Sequence, residues 1–477
     1  MIFFATLFQQ TAPDLTLYSM VLKTLRYNIS LYGLRAFLQW VLFLLLLCGL
    51  FNCKKSADEV LKDADGVVTR LPHLWKSSTS LDGKKNMSMH AQHIYENKYV
   101  LTAVRQADSE PNTTESLSFK RLEDGKSFWV WNDRFSKTES PFVWNYSVYS
   151  NKNLLLFRNA FRFYCINQDT GQTMWKKEWG RNFGSEITTT GLGEKFYYPG
   201  TPPEIYAKNR WEESIYQGDM ATGDVREVAK LKTFPDSVWH DPSGFDFIAR
   251  AQKIIPFVRG SDTLLLVSYN LPDIRPYYQN TPVSGYMSLY NLTQKKWIYE
   301  RMPMLSNVKT GVESEAGGGS YPTIIGERVY YAVNMWVGCY YLMTGQRLWF
   351  RRITPASLFS HLIVAEGKLL ANGMNAKLYA LEPGSGSLLW TQESSGIGST
   401  MHYQDGVVYY IATDKLLATR VSDGKLLWKL NCPDAYTENR PDSWLTGFVT
   451  GVPSKDDKKG RIFVSSHLNV YCFEAAQ

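Results

Sequence analysis

At 477 residues the chain is far longer than the roughly 100–200 of a typical domain. Its 44% hydrophobic and 20% charged residues are globular proportions that exclude disorder, and a mean hydropathy of −0.27 excludes a polytopic membrane protein. Fifty-two Lys and Arg against 45 Asp and Glu give +7. Without residues 1–52 the balance is 49 against 44, or +5, a mildly basic surface and not a nucleic-acid patch.

The N-terminus reads as an export signal. Lys23, Arg26 and Arg35 precede an apolar run over residues 36–51, broken only by Gln39. Its 16 residues fall short of the roughly 20 that span a bilayer as a helix. A positive flank, a short apolar stretch and then a Cys is the layout of a secretory signal. The segment Leu50-Phe51-Asn52-Cys53 resembles a bacterial lipobox, which implies lipidation at Cys53, although Asn52 stands where a small residue is usual. An uncleaved single-helix anchor is the alternative. Residues 1–19 carry Asp14 and no basic residue, so translation is expected to start at Met20, with a signal of 33 residues. Residues 1–52 are thus assigned to signal or anchor and 53–69 to a tether, opened by the polar spacer 54–59, which holds a folded domain clear of the headgroups. Residues 70–477 remain for the folded domain.

That remainder repeats itself. Five segments share a tail: Asp124-Gly125-Lys126-Ser127-Phe128-Trp129, Thr170-Gly171-Gln172-Thr173-Met174-Trp175, Thr344-Gly345-Gln346-Arg347-Leu348-Trp349, Ser385-Gly386-Ser387-Leu388-Leu389-Trp390 and Asp423-Gly424-Lys425-Leu426-Leu427-Trp428. In each, Gly stands four residues before Trp. Two weaker copies follow the scheme: Thr222-Gly223-Asp224-Val225, which lacks the Trp, and residues 291–297, which end in Trp297 and lack the Gly. Alternating β-branched and aromatic runs precede each tail, as at 367–371 and 377–381, and read as strands joined by hairpins. The turn Gly supplies the positive φ between the third and fourth strands. Each unit is therefore expected to be a four-stranded antiparallel meander.

Trp349, Trp390 and Trp428 lie 41 and 38 residues apart, and Trp129 and Trp175 lie 46 apart, near the length of one propeller blade. The last run, residues 461–473, offers inner strands but no Trp-bearing fourth. Leu74-Trp75-Lys76-Ser77 supplies it from the other end of the chain. Seven tails and one closing strand predict an all-β, eight-bladed propeller, read as a monomer.

These tails resemble the pyrroloquinoline-quinone (PQQ) repeat, roughly Ala-x-Asp-x-x-Thr-Gly-x-x-x-Trp. Residues 379–390, Tyr-Ala-Leu-Glu-Pro-Gly-Ser-Gly-Ser-Leu-Leu-Trp, are a close copy. The resemblance covers residues 70–476. A WD40 reading needs Asp directly after Trp, where this chain has Lys176, Phe350, Thr391 and Lys429. In the PQQ reading the tail Trp covers the neighbouring blade, a structural task.

An anchored PQQ-like propeller is similar to the lipoprotein subunit of the outer-membrane β-barrel assembly machine. That resemblance implies a non-catalytic scaffold for envelope proteins in a Gram-negative cell envelope, membrane-anchored and periplasmic or surface-exposed, with no cofactor. Two alternatives stay open: a quinone- and Ca²⁺-dependent dehydrogenase, and a glycan-binding surface lipoprotein. Quinoprotein dehydrogenases of this fold typically carry a vicinal Cys pair beside the cofactor, and this chain has no adjacent cysteines.

Of six cysteines, Cys48 and Cys53 lie in the signal region. Cys165, Cys339 and Cys472 fall at one repeat position, which other blades fill with Ala380 and Ala418, so buried thiols are expected and not disulfides. His90 and His93 have a near-metal spacing without further ligands and read as a solvated strand or loop. His361 and His402 read as polar lining of the central funnel. The long insertions at 198–214 and 234–283 are rich in Pro and aromatics. Trp211, Trp239, Phe245, Tyr277 and Tyr278 are the candidate partner anchors, with plain capping of the propeller as the alternative.

Overall fold

The computed structural model describes residues 59–78, 88–105, 117–133, 135, 148–159, 162–178, 189–201, 205, 208, 210–232, 239–240, 246–271, 284–304, 322–333, 336–353, 362–373, 375–394, 400–412, 414–433, 444–466 and 469–476. The signal region, including Cys53, lies outside them. The chain divides into Met1–Glu59 and Val60–Gln477, and the architecture below is that of the second unit.

Three short strands open it: β1 (Leu61–Lys62), β2 (Val68–Arg70) and β3 (Trp75–Ser78). Eight sheets follow. Blade 1 holds β4 (Ser88–Tyr95), β5 (Tyr99–Arg105), β6 (Leu117–Arg121) and β7 (Ser127–Trp131), and blade 2 holds β8 (Val148–Asn151), β9 (Leu154–Asn159), β10 (Arg162–Asn167) and β11 (Thr173–Glu178). Blade 3 holds β12 (Thr190–Leu192), β13 (Lys195–Gly200), β15 (Ser214–Asp219) and β16 (Val225–Lys230), with β14 (Arg210–Glu212) inserted between β13 and β15. After the inserted β17 (Trp239–His240), blade 4 holds β18 (Asp246–Arg259), β19 (Asp262–Leu271), β20 (Ser284–Asn291) and β21 (Lys296–Pro303). Blade 5 holds β22 (Thr323–Ile325), β23 (Arg328–Val333), β24 (Trp336–Tyr341) and β25 (Arg347–Arg352), and blade 6 holds β26 (Ile363–Ala365), β27 (Lys368–Gly373), β28 (Lys377–Leu381) and β29 (Leu388–Glu393). Blade 7 holds β30 (His402–Gln404), β31 (Val407–Ala412), β32 (Lys415–Arg420) and β33 (Leu426–Asn431). Blade 8 holds β34 (Trp444–Val452), β35 (Arg461–Ser466) and β36 (Asn469–Glu474), with β3 as its fourth strand.

The ring closes as the repeat arithmetic predicts. β3 pairs antiparallel with β36, Trp75 opposite Cys472. Both faces of a middle strand are covered by neighbouring blades, so such strands read as unbroken apolar runs. All six residues of β31, Val-Val-Tyr-Tyr-Ile-Ala, are buried. The shared cysteine position is explained by register: Cys165 pairs with Trp175, Cys339 with Trp349 and Cys472 with Trp75, just as Ala380 pairs with Trp390 and Ala418 with Trp428.

Most seams between blades use one device. Trp75 Nε1 donates to Leu122 O at 2.8 Å, Trp129 to Gln168 O at 2.7 Å, Trp175 to Met220 O at 2.8 Å, Trp349 to Pro383 O at 3.0 Å and Trp390 to Val421 O at 3.1 Å. Each acceptor lies three residues before the turn glycine of the next blade. The indole then lies flat over that turn. A Cβ placed on Gly171, Gly223, Gly386 or Gly424 would sit 2.7–2.8 Å from the ring. Those glycines also hold φ between 68° and 75°, a region unfavourable to other residues. Gly and Trp of neighbouring blades thus require one another.

Between blades 3 and 4 the device changes. Four residues after Gly223 stands Glu227, exposed, in place of a Trp. In the turn of blade 4, Lys295 holds φ 54° where the other turns have Gly. With no indole above it, that position has room for a side chain. Residues 291–297 match the repeat by ending in Trp297, but the structure corrects this alignment. Tyr299, four residues after Lys295, occupies the Trp position: it pairs with Leu289 and its hydroxyl donates to Leu342 O at 3.1 Å on blade 5. Trp297 instead packs back toward blade 3, edge-on to Tyr290 at 4.8 Å and clustered with Val228 and Leu231. The seam's hydrogen bond runs in reverse, from Tyr290 OH on blade 4 to Val228 O on blade 3 at 3.1 Å.

Blade 7 carries extra strands. β2 pairs parallel with β33, Val68 beside Trp428, and β1 adds outside β2. Trp428 faces no glycine turn, because blade 8 draws its fourth strand from the N-terminus. It is buried with Val68, Leu71, Ala475 and Ala476. These strands lie within the stretch expected as a tether, so the folded unit begins at Val60.

Candidate interaction surface

A meander sorts its connections between two ends. The links from first to second and from third to fourth strand lie at one end. The second-to-third links and the passages between blades lie at the other.

The turn end is short and self-satisfied. Asp124, Asn167, Asp219 and Asp423 each accept a hydrogen bond from a backbone N–H two residues on, at 2.8–3.0 Å. Neighbouring turns are linked by Lys152–Glu194 and Arg259–Glu327, both at 2.8 Å, and by Tyr95 OH donating to Asp169 at 2.8 Å. The ion pairs are exposed and add little stability individually. The Arg420 guanidinium beside Asp423 and the Lys425 N–H hold that carboxyl down to about 2. The charged run at 455–459 is the hairpin tip of blade 8, as expected.

The loop end carries every long connection. Among the described residues, Thr189, Thr201, Ser268, Asn375 and Ser465 each bury a side-chain oxygen without a hydrogen-bond partner, and all five lie in this half of the propeller. An unmet buried oxygen costs roughly 1–3 kcal/mol, so this end is held less completely than the other.

The insertions converge on blade 4. β18 runs for 14 residues, and its first four precede the pairing with β19, which starts at Arg250. That projecting stretch is flanked by both insertions: β14 pairs parallel with it and β17 antiparallel, so Trp211 and Trp239 both lie opposite Phe247. In sheet order β14 lies beyond β18, the innermost strand of the blade, and hence on the axial side. Two of the five candidate anchors are thereby brought to one residue of one strand. Phe245, Tyr277 and Tyr278 lie outside the described residues.

Buried charge supports this assembly. Glu213, which follows β14, is fully buried and accepts a hydrogen bond from Ala251 N of β18. Arg158 of blade 2 is buried with its guanidinium 5.0 Å from the Phe163 ring and 5.8 Å from Tyr198 of blade 3. Burial lowers Arg158 to about 10, against the opposing pull of Tyr198 and Glu213. Burial lowers Lys253, at the bulge of β18, to about 8. The sequence reading missed all three. The one local signal was Glu213, an acid amid aromatic residues at the end of an insertion.

The other sequence candidates fall to structural tasks. Gly125, Gly171, Gly345, Gly386 and Gly424 hold left-handed turns, and Trp129, Trp175, Trp349, Trp390 and Trp75 cover the next blade. Cys165, Cys339, Cys432 and Cys472 are buried and free, and burial pushes the Cys165 and Cys472 thiols up to about 12. His93 is not solvated. It reaches Gln168 of blade 2 at 3.2 Å, and burial lowers its pKa. His402 bonds Gln404 at 2.9 Å, close to Gly451 of blade 8, and burial lowers it likewise. The side chain of His90 and the whole of His361 lie outside the described residues. Among the described residues no three His, Cys, Asp or Glu side chains converge to hold a metal ion. With no adjacent cysteine pair either, a calcium-and-quinone site does not fit what is present, and no step through one is derived.

Comparison with known proteins agrees with the repeat reading. The family model described as outer membrane protein assembly factor BamB matches residues 339–477, from the third strand of blade 5 onward. No curated protein matches by sequence. Among solved structures, the computationally designed Ika8 protein superposes with a TM-score of 0.53 at 11% identity, covering 84% of this chain and 99% of its own. Sqt1 of Saccharomyces cerevisiae gives 0.50 at 9%, covering 85% and 99%, and BamB of Moraxella catarrhalis gives 0.45 at 11%, covering 83% and 98%. At these identities the likeness is one of fold. The chain is a PQQ-like eight-bladed propeller, similar to BamB over its last blades.

Proposed function

We propose that this protein is an exported, lipid-anchored, non-catalytic scaffold that docks envelope proteins during outer-membrane protein assembly. The observation that carries the reading is a PQQ-type ring whose rigid turn end supports, at the opposite end, an enlarged blade 4 with two insertions knitted onto its inner strand. Binding segments held by a rigid frame lose little entropy on docking. The match of residues 339–477 to the assembly-factor family supports the choice of partner class. Cys53 supplies the anchor and the cell envelope of a Gram-negative bacterium the location.

Two measurements test this. Photo-crosslinking in intact envelopes from position 239 is expected to capture a protein of the β-barrel insertion apparatus. Capture of polysaccharide alone would replace the scaffold with a glycan receptor. Calorimetric titration of the domain from Lys54 with pyrroloquinoline quinone and Ca²⁺ is expected to give no heat. One-to-one binding at micromolar or tighter affinity would overturn the non-catalytic reading and restore the dehydrogenase.

A further inference from the structure

The N-terminal strands fix where the tether leaves the ring. β1 is the outermost strand of blade 7, added outside β2, which is itself added outside β33. Only residues 54–58 separate Cys53 from Glu59, where the described chain begins. At 3.3–3.6 Å per residue, six steps of extended chain span about 20 Å.

This short leash ends in firmly packed structure. Asp63 Oδ1 accepts from Asp65 N at 3.0 Å and Val67 N at 2.9 Å, closing the turn between β1 and β2. Val68 and Leu71 pack on the cluster that holds Trp428. Leu74 N then donates to Cys472 O at 2.7 Å, and Trp75 covers Gly125 of blade 1. Lengthening the leash by peeling would strip blade 7 of its cover. The same stretch exposes two apolar side chains, Val60 and Leu74, about half accessible, beside exposed Lys62 and Lys76. Apolar and cationic side chains suit a lipid–water boundary.

In a ring of eight, blades 3 and 4 stand four places from blades 7 and 8. We infer that the propeller stands on the membrane by the rim of blades 7 and 8, and holds the β14–β17–β18 assembly away from the bilayer, toward a water-soluble domain of its partner. This rests on the lipid anchor proposed above and specifies which part of a partner the scaffold reaches.

The test uses full-length lipidated protein in anionic vesicles, with an environment-sensitive fluorophore on Lys62→Cys in β1 or on Glu227→Cys in blade 3. The four cysteines of the propeller are buried, so labelling is selective. Quenching by headgroup-labelled nitroxide lipid is expected to be several-fold stronger at position 62 than at 227. A Gly/Ser insert of about 20 residues between Asp58 and Glu59 is expected to erase most of that difference. Protein that floats with the vesicles but is quenched equally at both positions, or more at 227, overturns the orientation alone. Protein that fails to float overturns the anchor and the orientation with it.

Discussion

Two kinds of seam hold this ring together. At the seams after blades 1, 2, 5, 6 and 8, an indole from one blade lies over a glycine turn of the next and donates a hydrogen bond beside it. At the seam between blades 3 and 4 the indole is missing, the glycine is Lys295, and Trp297 with Tyr290 fills the gap from the opposite side. The two changes occur together for a steric reason. A turn glycine is demanded by the ring above it as well as by its φ, so loss of the ring releases half of that demand. The seam that departs from the rule also bears both insertions, and a seam sealed from blade 4 leaves the edge of blade 3 free to vary.

The comparison can be broken at its strongest point first. Trp390→Ala removes a seam indole and should cost about 3–5 kcal/mol in urea unfolding. An unchanged midpoint would mean that the ring does not close the seam. Next comes the glycine. Gly424→Ala places a methyl group against the Trp390 ring at φ 75° and should cost about 2–4 kcal/mol. Lys295→Gly should move stability by less than about 1 kcal/mol, because relief of a left-handed Lys offsets added freedom in the unfolded chain. Equal losses at the two sites would erase the distinction between seams.

A smaller effect sharpens the reversed seam. Tyr290→Phe removes one inter-blade hydrogen bond and should cost about 0.5–1.5 kcal/mol. The smallest effect is in pH. His93 sits at the seam of blades 1 and 2 and His402 at that of blades 7 and 8, both with pKa lowered by burial below the usual 6.5. Below about pH 6.5 the unfolded chain takes up protons that the folded ring refuses, so stability should fall as pH drops from 7.5 to 5.5. The double variant His93→Asn/His402→Asn should show a shallower slope in the melting temperature. An identical slope would assign the pH dependence to other groups.

Much of this fold was legible because Gly and Trp of one tail sit four residues apart, so a long-range packing rule leaves a short-range mark. Blade count, ring closure through Trp75 and the common place of Cys165, Cys339 and Cys472 all follow from that mark. Blade 4 was misaligned at Trp297 because a large aromatic residue at nearly the right spacing serves an opposite seam. The interaction surface was legible only as composition. That Trp211 and Trp239 meet opposite Phe247 depends on pairing between segments far apart in sequence. Glu213, Arg158 and Lys253 gain their character from burial, which no motif encodes.

The strand that closes the ring also sets a timetable. Trp75 emerges among the first residues of the folded unit, and its partner Cys472 among the last. Until then blade 8 lacks an edge strand and the Gly125 turn of blade 1 lacks its indole. The loop joined by this pairing is nearly the whole chain, so its entropy must be met in the final step of folding. A ribosome or secretion channel that releases the C-terminus slowly therefore holds the ring open, and the propeller becomes a cooperative unit only when its two ends meet.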